Sequence, residues 1–378
     1  MVRYRVSPAS PASPPPAHSW HRSLPRPPVP RRASRSRSWE CFPELPPATS
    51  CDWLGNGAPG EKDRMGQPLK RFLQPGPHRS FPTTQAAKIY LLPLGDVSNA
   101  PSPKVLRELV QLWFLLDVEI LPSPSAKAIA ALERDPDGCG YGPQIENPSA
   151  FALIHAAKPK DAFIVLGYTM EDICDTAKGF GFLFGQAHLD LGVGLFSFAR
   201  YSDDVEYTSP QFLRRCGMVL CHEASHLFGV RHCVYASCIM NGSNHLDEAE
   251  SRPFALCPVD LRKIELTLHQ AKLQGRDTPP VDLVARERAL AAFFDAHGLH
   301  DDARFSRMCV SALTGRVEPE PTPAAAGGGS ASPLASVRQL SGEPTKPLIA
   351  RQPSGLCADE RKAAELEGGA MPAACGTE

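Results

Sequence analysis

The sequence predicts an α/β domain, because strand and helix patterns alternate in the middle of the chain. Lys88–Leu94 has the pattern of a short buried strand, and Ala162–Gly167 is an apolar run typical of a strand buried on both faces. Between them, Pro103–Leu116 has apolar residues at helical spacing and Val118–Leu121 has a second strand pattern. A helix from Pro148 to about Ala157 completes a strand-helix-strand-helix-strand order, which favours a sheet covered by helices.

After these elements the sequence predicts one more strand and then a series of helices. Gly192–Tyr201 has a strand pattern that glycines interrupt. Ser209–Pro210 supplies an N-cap and a first-turn proline for a long helix. A second helix begins near Pro258, and the helical pattern resumes over Leu283–Leu313.

Both ends of the chain, residues 1–84 and 314–378, are predicted to be disordered. Most of the 39 prolines lie toward the ends, and Met1–Trp39 contains no acidic residue. Such segments cannot bury enough apolar surface to offset their ordering entropy. The Arg- and Ser-rich start also resembles an organelle transit peptide, although its prolines oppose the amphipathic helix of a mitochondrial presequence. Its basic charge leaves salt-sensitive nucleic-acid binding as a further alternative.

Composition narrows the partners and the compartment. The net charge is −1, so nothing overall indicates a nucleic acid or an anionic membrane as the main partner. No apolar run is long enough to cross a bilayer, and the start has no apolar core of a secretory signal peptide. The 12 cysteines are therefore expected as metal ligands or free thiols in the cytosol or nucleus.

One short segment, beginning at His222, contains the zinc-ligand pattern HExxHxxGxxH. On a helix, His222 and His226 lie one turn apart on the same face and can bind one ion. Gly229 can adopt the left-handed conformation that ends a helix, so that the chain turns back and His232 becomes a third ligand. Glu223 lies beside the first ligand, where it can reach a metal-bound water. Three protein ligands and one open position are typical of a catalytic zinc site.

This residue set suits hydrolysis of a peptide bond. Zinc lowers the pKa of a bound water to about 7. Glu223 would take a proton from that water as it attacks a carbonyl, and then return it to the leaving amine. No paired carboxylates, GxSxG elbow or phosphate-binding Gly-Lys-Ser motif indicates another chemistry. Histidines that merely pack are the alternative, but the full pattern should arise by chance in roughly one in 20,000 such chains.

The residues around this pattern resemble a known family. HEASHLFGVRHC, VYASCIM and NGSNHLDEAESRPFALCPVDLRK are similar to the signature of the archaemetzincins, a branch of the metzincin zinc peptidases. The resemblance covers about residues 85–275, and more weakly extends to 313. It implies a compact metzincin-like domain over 85–313, with a twisted mixed sheet and an active-site helix. It also implies a zinc-dependent, aminopeptidase-like enzyme that acts on short peptides, and we expect a monomer.

The same resemblance implies roles for two other parts of the domain. Met240 would form the Met-turn, an apolar floor beneath the catalytic zinc, although ordinary core packing predicts the same burial. Gly192–Tyr201 would be the edge strand beside the cleft, where an extended substrate can pair by backbone hydrogen bonds. Phe196 and Phe198 within it are expected in the core.

Archaemetzincins are similar to one another in a second zinc site of four cysteines, spaced CxxxxC…CxxC. Here Cys233, Cys238 and Cys257 match this pattern, but Asp260 takes the fourth position. A carboxylate can bind zinc, so the resemblance implies a second, structural zinc with three thiolates and Asp260, weaker than a four-cysteine site. Two other side chains remain alternatives for the fourth ligand: His245 and Cys221.

Two functions therefore remain open. The first is a zinc metallopeptidase with Glu223 as the general base. The second is a zinc-binding interaction module without hydrolysis, whose ends recruit partners. The intact Glu223 favours catalysis, because a purely structural zinc does not require it.

Overall fold

The computed structural model describes five stretches of the chain: residues 66–74, 81–134, 141–243, 246–273 and 281–318. Most of the two end segments predicted to be disordered lies outside the described residues, and so does His245. Within the described stretches, no helix is both long enough and apolar enough to cross a membrane.

Nine α-helices and nine strands are described within these stretches, and we number each kind in chain order. The helices are α1 (Leu69–Phe72), α2 (Pro103–Phe114), α3 (Ala126–Ala130), α4 (Asn147–Ala156), α5 (Pro210–Leu227), α6 (Leu246–Glu250), α7 (Pro258–Leu273), α8 (Leu283–Ala296) and α9 (His300–Thr314). The strands are β1 (Lys88–Leu94), β2 (Val118–Ile120), β3 (Glu133–Arg134), β4 (Gln144–Glu146), β5 (Ala162–Thr169), β6 (Asp172–Asp175), β7 (Phe180–Leu183), β8 (Gly185–His188) and β9 (Val193–Ser197).

The larger sheet confirms the predicted α/β class. Its strand order is β2-β1-β5-β9-β8, and all neighbours are parallel except β8, which is antiparallel to β9. The two apolar runs at Lys88–Leu94 and Ala162–Gly167 form β1 and most of β5 at its centre, where β5 is buried over its whole length. Apolar clusters cover both faces of this sheet, so its strands need no polar alternation.

A second sheet, in the order β3-β4-β6-β7, does not follow from the sequence pattern. Its strands have two to four residues each and contain buried polar side chains. Gln144 Nε2 donates to Asp172 Oδ2 over 2.7 Å, and Arg200 donates to both oxygens of Asp172 over 2.8 and 2.7 Å. Because these polar groups satisfy one another, they can be buried without an apolar signature.

The prediction that Gly192–Tyr201 forms the edge strand of the sheet is wrong. Its strand portion, β9, pairs with β5 on one side and with β8 on the other, so β8 is the edge of the larger sheet. The physical reason is a tight turn in which the Gly192 N–H donates to Leu189 O over 3.0 Å, with Gly192 at a φ of +63°. Phe196 and Phe198 are fully buried in the core, as expected.

Helix α5 begins and ends as its sequence predicts. Ser209 Oγ accepts a hydrogen bond from the Phe212 N–H over 3.1 Å, and Pro210 occupies the first turn. At the other end, the Gly229 N–H donates to His226 O over 2.8 Å and the Val230 N–H donates to Ser225 O over 3.2 Å. This pair of bonds, with Gly229 at a φ of +82°, is a Schellman motif that reverses the chain.

Two predicted boundaries differ from the structure. The helical pattern over Leu283–Leu313 is two helices, α8 and α9, separated by a turn in which Gly298 has a φ of +74°. At the amino-terminal side, the fold begins before residue 85, because α1 packs on the domain. Phe72 is 3% exposed and belongs to the main core. Leu69 also packs against this core, so two apolar side chains dock a helix that is too short to show a helical pattern.

The docking of α1 can be tested by unfolding measurements. Phe72→Ala should lower the free energy of unfolding by about 3–5 kcal/mol, as expected for removal of a buried aromatic side chain. The neighbouring Leu73, which is 48% exposed, provides the control, and Leu73→Ala should change stability by no more than about 0.5 kcal/mol. Urea denaturation of the full chain measures both, and equal effects would show that α1 is not docked.

Candidate metal centres

The last turns of α5 bring two imidazole rings together at nearly a right angle. His222 Nε2 and His226 Nε2 lie 3.1 Å apart, and the ring centroids are separated by 4.8 Å. This arrangement follows from helical geometry, since residues at i and i+4 lie on one face. The prediction that these two side chains share a face of the helix is confirmed.

Hydrogen bonds at the opposite nitrogens determine which way the rings point. His222 Nδ1 lies 2.6 Å from Ile239 O, and His226 Nδ1 lies 2.7 Å from Val230 O. A carbonyl oxygen only accepts, so each Nδ1 carries the proton and each Nε2 presents a lone pair. Two lone pairs at this separation repel each other unless a cation lies between them. Zinc–nitrogen bonds of about 2.0–2.1 Å in a tetrahedron place two nitrogens roughly 3.3 Å apart, so the pair fits zinc.

The chain reversal after α5 adds the third imidazole. The His232 ring centroid lies 5.3 Å from that of His222 and 4.9 Å from that of His226. One nitrogen from each of the three rings lies within 4.8 Å of the corresponding nitrogens of the other two rings. The left-handed Gly229 and the third histidine thus take the positions that the sequence predicts.

Burial favours the metal-binding form of two of these imidazoles. It lowers the pKa of His222 and His232 well below the ordinary value, and the neighbouring histidines add to this effect. A neutral imidazole is the ligand form, so no proton must be displaced before binding. The His222 side chain is still 12% exposed, which leaves the centre open on one side.

Glu223 lies at this open side. Its Oε1 is 3.9 Å from His222 Nε2, the nitrogen that faces the centre, and its side chain is 14% exposed. Burial raises the pKa of Glu223, and a hydrogen bond from the backbone of Ala187 in β8 acts in the opposite direction. A Cβ added at Gly185 of β8 would lie 2.9 Å from Glu223 Cγ. The edge strand therefore packs directly against this carboxylate.

Three residues donate hydrogen bonds to the backbone carbonyls of the turn around Met240. Ile239 O accepts from His222 Nδ1, and Arg252 donates to Ile239 O over 3.3 Å and also to Asn241 O. Met240 itself is fully buried, and its carbonyl accepts from the Cys233 N–H over 2.8 Å. Its role as an apolar floor beneath an ion stays a prediction. The sequence contains no signal for Arg252, whose contacts depend on how the turn is folded.

A second cluster lies directly after the third histidine. Cys233, Cys238, Cys257 and Asp260 each offer one ligand atom, and these atoms all lie within 4.8 Å of one another. Cys233 Sγ is 3.8 Å from Cys257 Sγ, and Asp260 Oδ2 is 3.4 Å from Cys257 Sγ. All four residues are at most 1% exposed, and the thiols are not joined by disulfides. Cys221, one of the predicted alternatives, is buried in α5 and is not part of this cluster.

The ionisable groups of this cluster strongly affect one another. Burial, together with the charge of Cys233, raises the pKa of Asp260 to about 6. Hydrogen bonds from the neighbouring thiols hold the pKa of Cys233 well below its ordinary value. Lys263 Nζ lies 2.7 Å from Asp260 Oδ1, with both side chains at most 1% exposed. Burial and the neighbouring Cys233 raise the pKa of Cys238 and Cys257, so these two groups remain thiols until a cation such as zinc stabilises their thiolates. The i, i+3 spacing of Asp260 and Lys263 was a readable signal for this pair.

Two histidines on one helix, a third after a tight turn and an adjacent glutamate define a zinc metallopeptidase of the metzincin type. Residues 161–266 match the profile of Peptidase family M54. Archaemetzincin-2 from Pongo abelii is 32% identical to the chain over 255 residues, which cover 57% of this chain and 68% of that protein. Human Archaemetzincin-1 is 30% identical over 255 residues, covering 58% and 49%. The chain belongs to the archaemetzincin family of zinc metallopeptidases.

A solved structure is also similar to part of the chain. The archaemetzincin from Methanopyrus kandleri is 24% identical, covers 51% of this chain and 99% of that chain, and has a TM-score of 0.39. A score of this size supports no argument from shape, so membership depends on the sequence matches.

The contact between β8 and Glu223 predicts a substitution that separates activity from metal binding. Gly185→Ala should push Glu223 out of place and lower peptide hydrolysis by about 10- to 100-fold, because small displacements of a reacting group cost this much. Zinc content should be unchanged. Gly181→Ala is the control. Gly181 lies in β7, the strand that precedes β8 in sequence, and a Cβ added there meets nothing within 4 Å. Full activity of Gly185→Ala would show that the strand does not position Glu223.

Proposed function

We propose that the chain hydrolyses short peptides, in the manner of an aminopeptidase, at a zinc ion held by His222, His226 and His232. The observation that carries this proposal is the pair of Nδ1 hydrogen bonds that aim two histidine lone pairs at one point. A third imidazole reaches the same point, and a carboxylate stands beside it at the open side. A purely structural site would use a fourth side-chain ligand there instead.

Zinc at such a site supplies a Lewis acid for a carbonyl oxygen and activates water for attack. The rest of the reaction falls to Glu223, which we propose as the general base. Its carboxylate would accept a proton from the attacking water and deliver it to the leaving amine. The backbone carbonyls of Ile239 and Val230 hold the imidazole rings throughout, so no reorientation of the ligands is needed.

The substrate would lie along the edge strand β8. This strand pairs with β9 on one side, and among the described residues no strand pairs with its other side. An extended peptide can add to such an edge by backbone hydrogen bonds. Gly185 packs against Glu223, so a peptide paired with β8 would pass close to the proposed base.

Substitution of the proposed base tests the mechanism. Glu223→Gln keeps the size of the side chain but cannot accept a proton, so kcat should fall by about 10²–10⁴-fold with zinc still bound. Cleavage of a peptide library, read by mass spectrometry beside metal analysis, measures both quantities. Hydrolysis at the wild-type rate would refute the role of Glu223. Zinc binding without hydrolysis in the wild type would favour the interaction module instead.

We further propose that the second cluster binds a structural zinc with Asp260 as the fourth ligand. Support comes from the convergence of three thiols and one carboxylate oxygen in a fully buried place. The cluster lies one residue beyond His232, so an ion there would stiffen the loop that carries the third histidine.

Metal content provides the test of this second site. Wild type should hold two zinc ions per chain, and Asp260→Ala should hold one, since the three thiolates lose their partner. Asp260→Cys should keep two, because it restores a common structural ligand set. Glu265→Ala is the matched control: Glu265 lies on the same helix but pairs with Arg262 over 2.6 Å. A zinc content that is the same in wild type and Asp260→Ala would refute the second site.

We also propose a reducing compartment, either the cytosol or the nucleus. The seven cysteines in the described part of the chain are all unpaired thiols. A monomeric state and the absence of nucleic-acid and membrane partners remain predictions. The transit peptide is still an alternative, and it falls outside the described residues.

A further inference from the structure

The amino-terminal segment 66–74 contacts the loop that carries the third histidine. Gln67 Nε2 donates to Gly229 O over 3.0 Å, and Gln67 Oε1 accepts from the Arg231 N–H over 3.1 Å. These partners are 162 and 164 residues apart in sequence. Gln67 is 8% exposed, so both bonds are partly shielded from water.

The two bonds enclose the residue that orients a zinc ligand. Gly229 and Arg231 flank Val230, whose carbonyl accepts from His226 Nδ1 over 2.7 Å. One amide side chain therefore fixes the backbone on both sides of the acceptor that aims His226. Arg231 is also the residue directly before His232, so the same bond sets where the third imidazole begins.

Gln67 is itself held in place on both sides. Gly66 approaches the loop so closely that an added Cβ would lie 2.6 Å from Val234 Cγ2 and 2.8 Å from Tyr235 Oη. Its φ of +63° favours glycine as well. On the other side, α1 starts at Leu69 and buries Phe72 in the main core. The glutamine thus projects from a docked segment rather than from a free end.

We propose that Gln67 is a positioning residue for the catalytic zinc site. It holds the backbone from Gly229 to Arg231 so that His226 and His232 meet at one point, and segment 66–74 acts as a strap across the loop. This inference rests on the proposed function, because it assumes that the histidines bind zinc.

The structure also says which metal site the strap should affect. Cys233 is anchored independently, since its N–H donates to Met240 O and its thiol belongs to the second cluster. Loss of Gln67 should therefore loosen the histidine site and leave the cysteine site intact. A general loss of stability would weaken both.

Zinc release from the full chain under chelator challenge tests the proposal. Gln67→Met preserves the volume of the side chain and removes both hydrogen bonds. It should weaken zinc binding at the histidine site by about 10-fold, the lower end of the loss that supporting residues of metal ligands produce. The slower release from the cysteine site should not change. Gln111→Met is the control, because Gln111 on α2 is 9% exposed and donates no hydrogen bond to the loop.

A double-mutant cycle separates positioning from general stability. In a His232→Ala background, Gln67→Met should cause a smaller further loss, because one of the two ligands that it positions is gone. Gln67→Glu keeps the acceptor for Arg231 but loses the donor to Gly229, and should fall between wild type and Gln67→Met. This second variant keeps the test open if the methionine variant folds poorly.

Three results would overturn the inference. They are wild-type zinc release from Gln67→Met, an equal loss from both metal sites, and an undiminished loss in the His232→Ala background. A wild type from which His222→Ala removes no zinc would overturn the proposed function and this inference with it. The first three results, with His222-dependent zinc still present, would overturn the inference alone.

Discussion

The histidine site depends on two hydrogen bonds from imidazole Nδ1 groups to backbone carbonyls. The acceptors, Ile239 O and Val230 O, lie in separate segments after α5, and each fixes one ring of the pair on the helix. These bonds choose the tautomer, so that both Nε2 lone pairs point to one place. A helix alone brings the two side chains to one face but leaves the rings free to turn.

The loop from Gly229 to Cys233 links this site to the cysteine cluster. His232 belongs to one site and its neighbour Cys233 to the other, so the loop carries one candidate ligand of each site. Segment 66–74 and the turn around Met240 hold the loop from opposite ends of the same short stretch. The two candidate metal sites therefore share one loop, which Gln67 holds beside the histidines and the Cys233–Met240 hydrogen bond holds beside the cysteines.

The two sites differ in how they balance charge. The histidine site consists of neutral rings with one nearby carboxylate, and it stays partly open to solvent. The cysteine cluster is fully buried and contains a carboxylate paired with Lys263. Removing such groups from water is costly unless they are paired with opposite charge. This difference fits an open site for a reaction and a closed site for structure.

The ligand pattern, the helix that carries it and the two central strands can be predicted from the order of the residues alone. Each depends on local spacing. Two histidines four residues apart lie on one face of a helix, a glycine follows the helix end, and the apolar runs are long enough for buried strands. The position of β8 at the sheet edge, the second sheet and the contacts of Gln67 are seen only in the folded structure. Gly185 meets Glu223, and Gln67 meets residues more than 160 positions away, through packing and hydrogen bonds that leave no periodic trace. Residues that are close in sequence make the ligand pattern predictable, whereas the partner of a buried polar group depends on the whole fold.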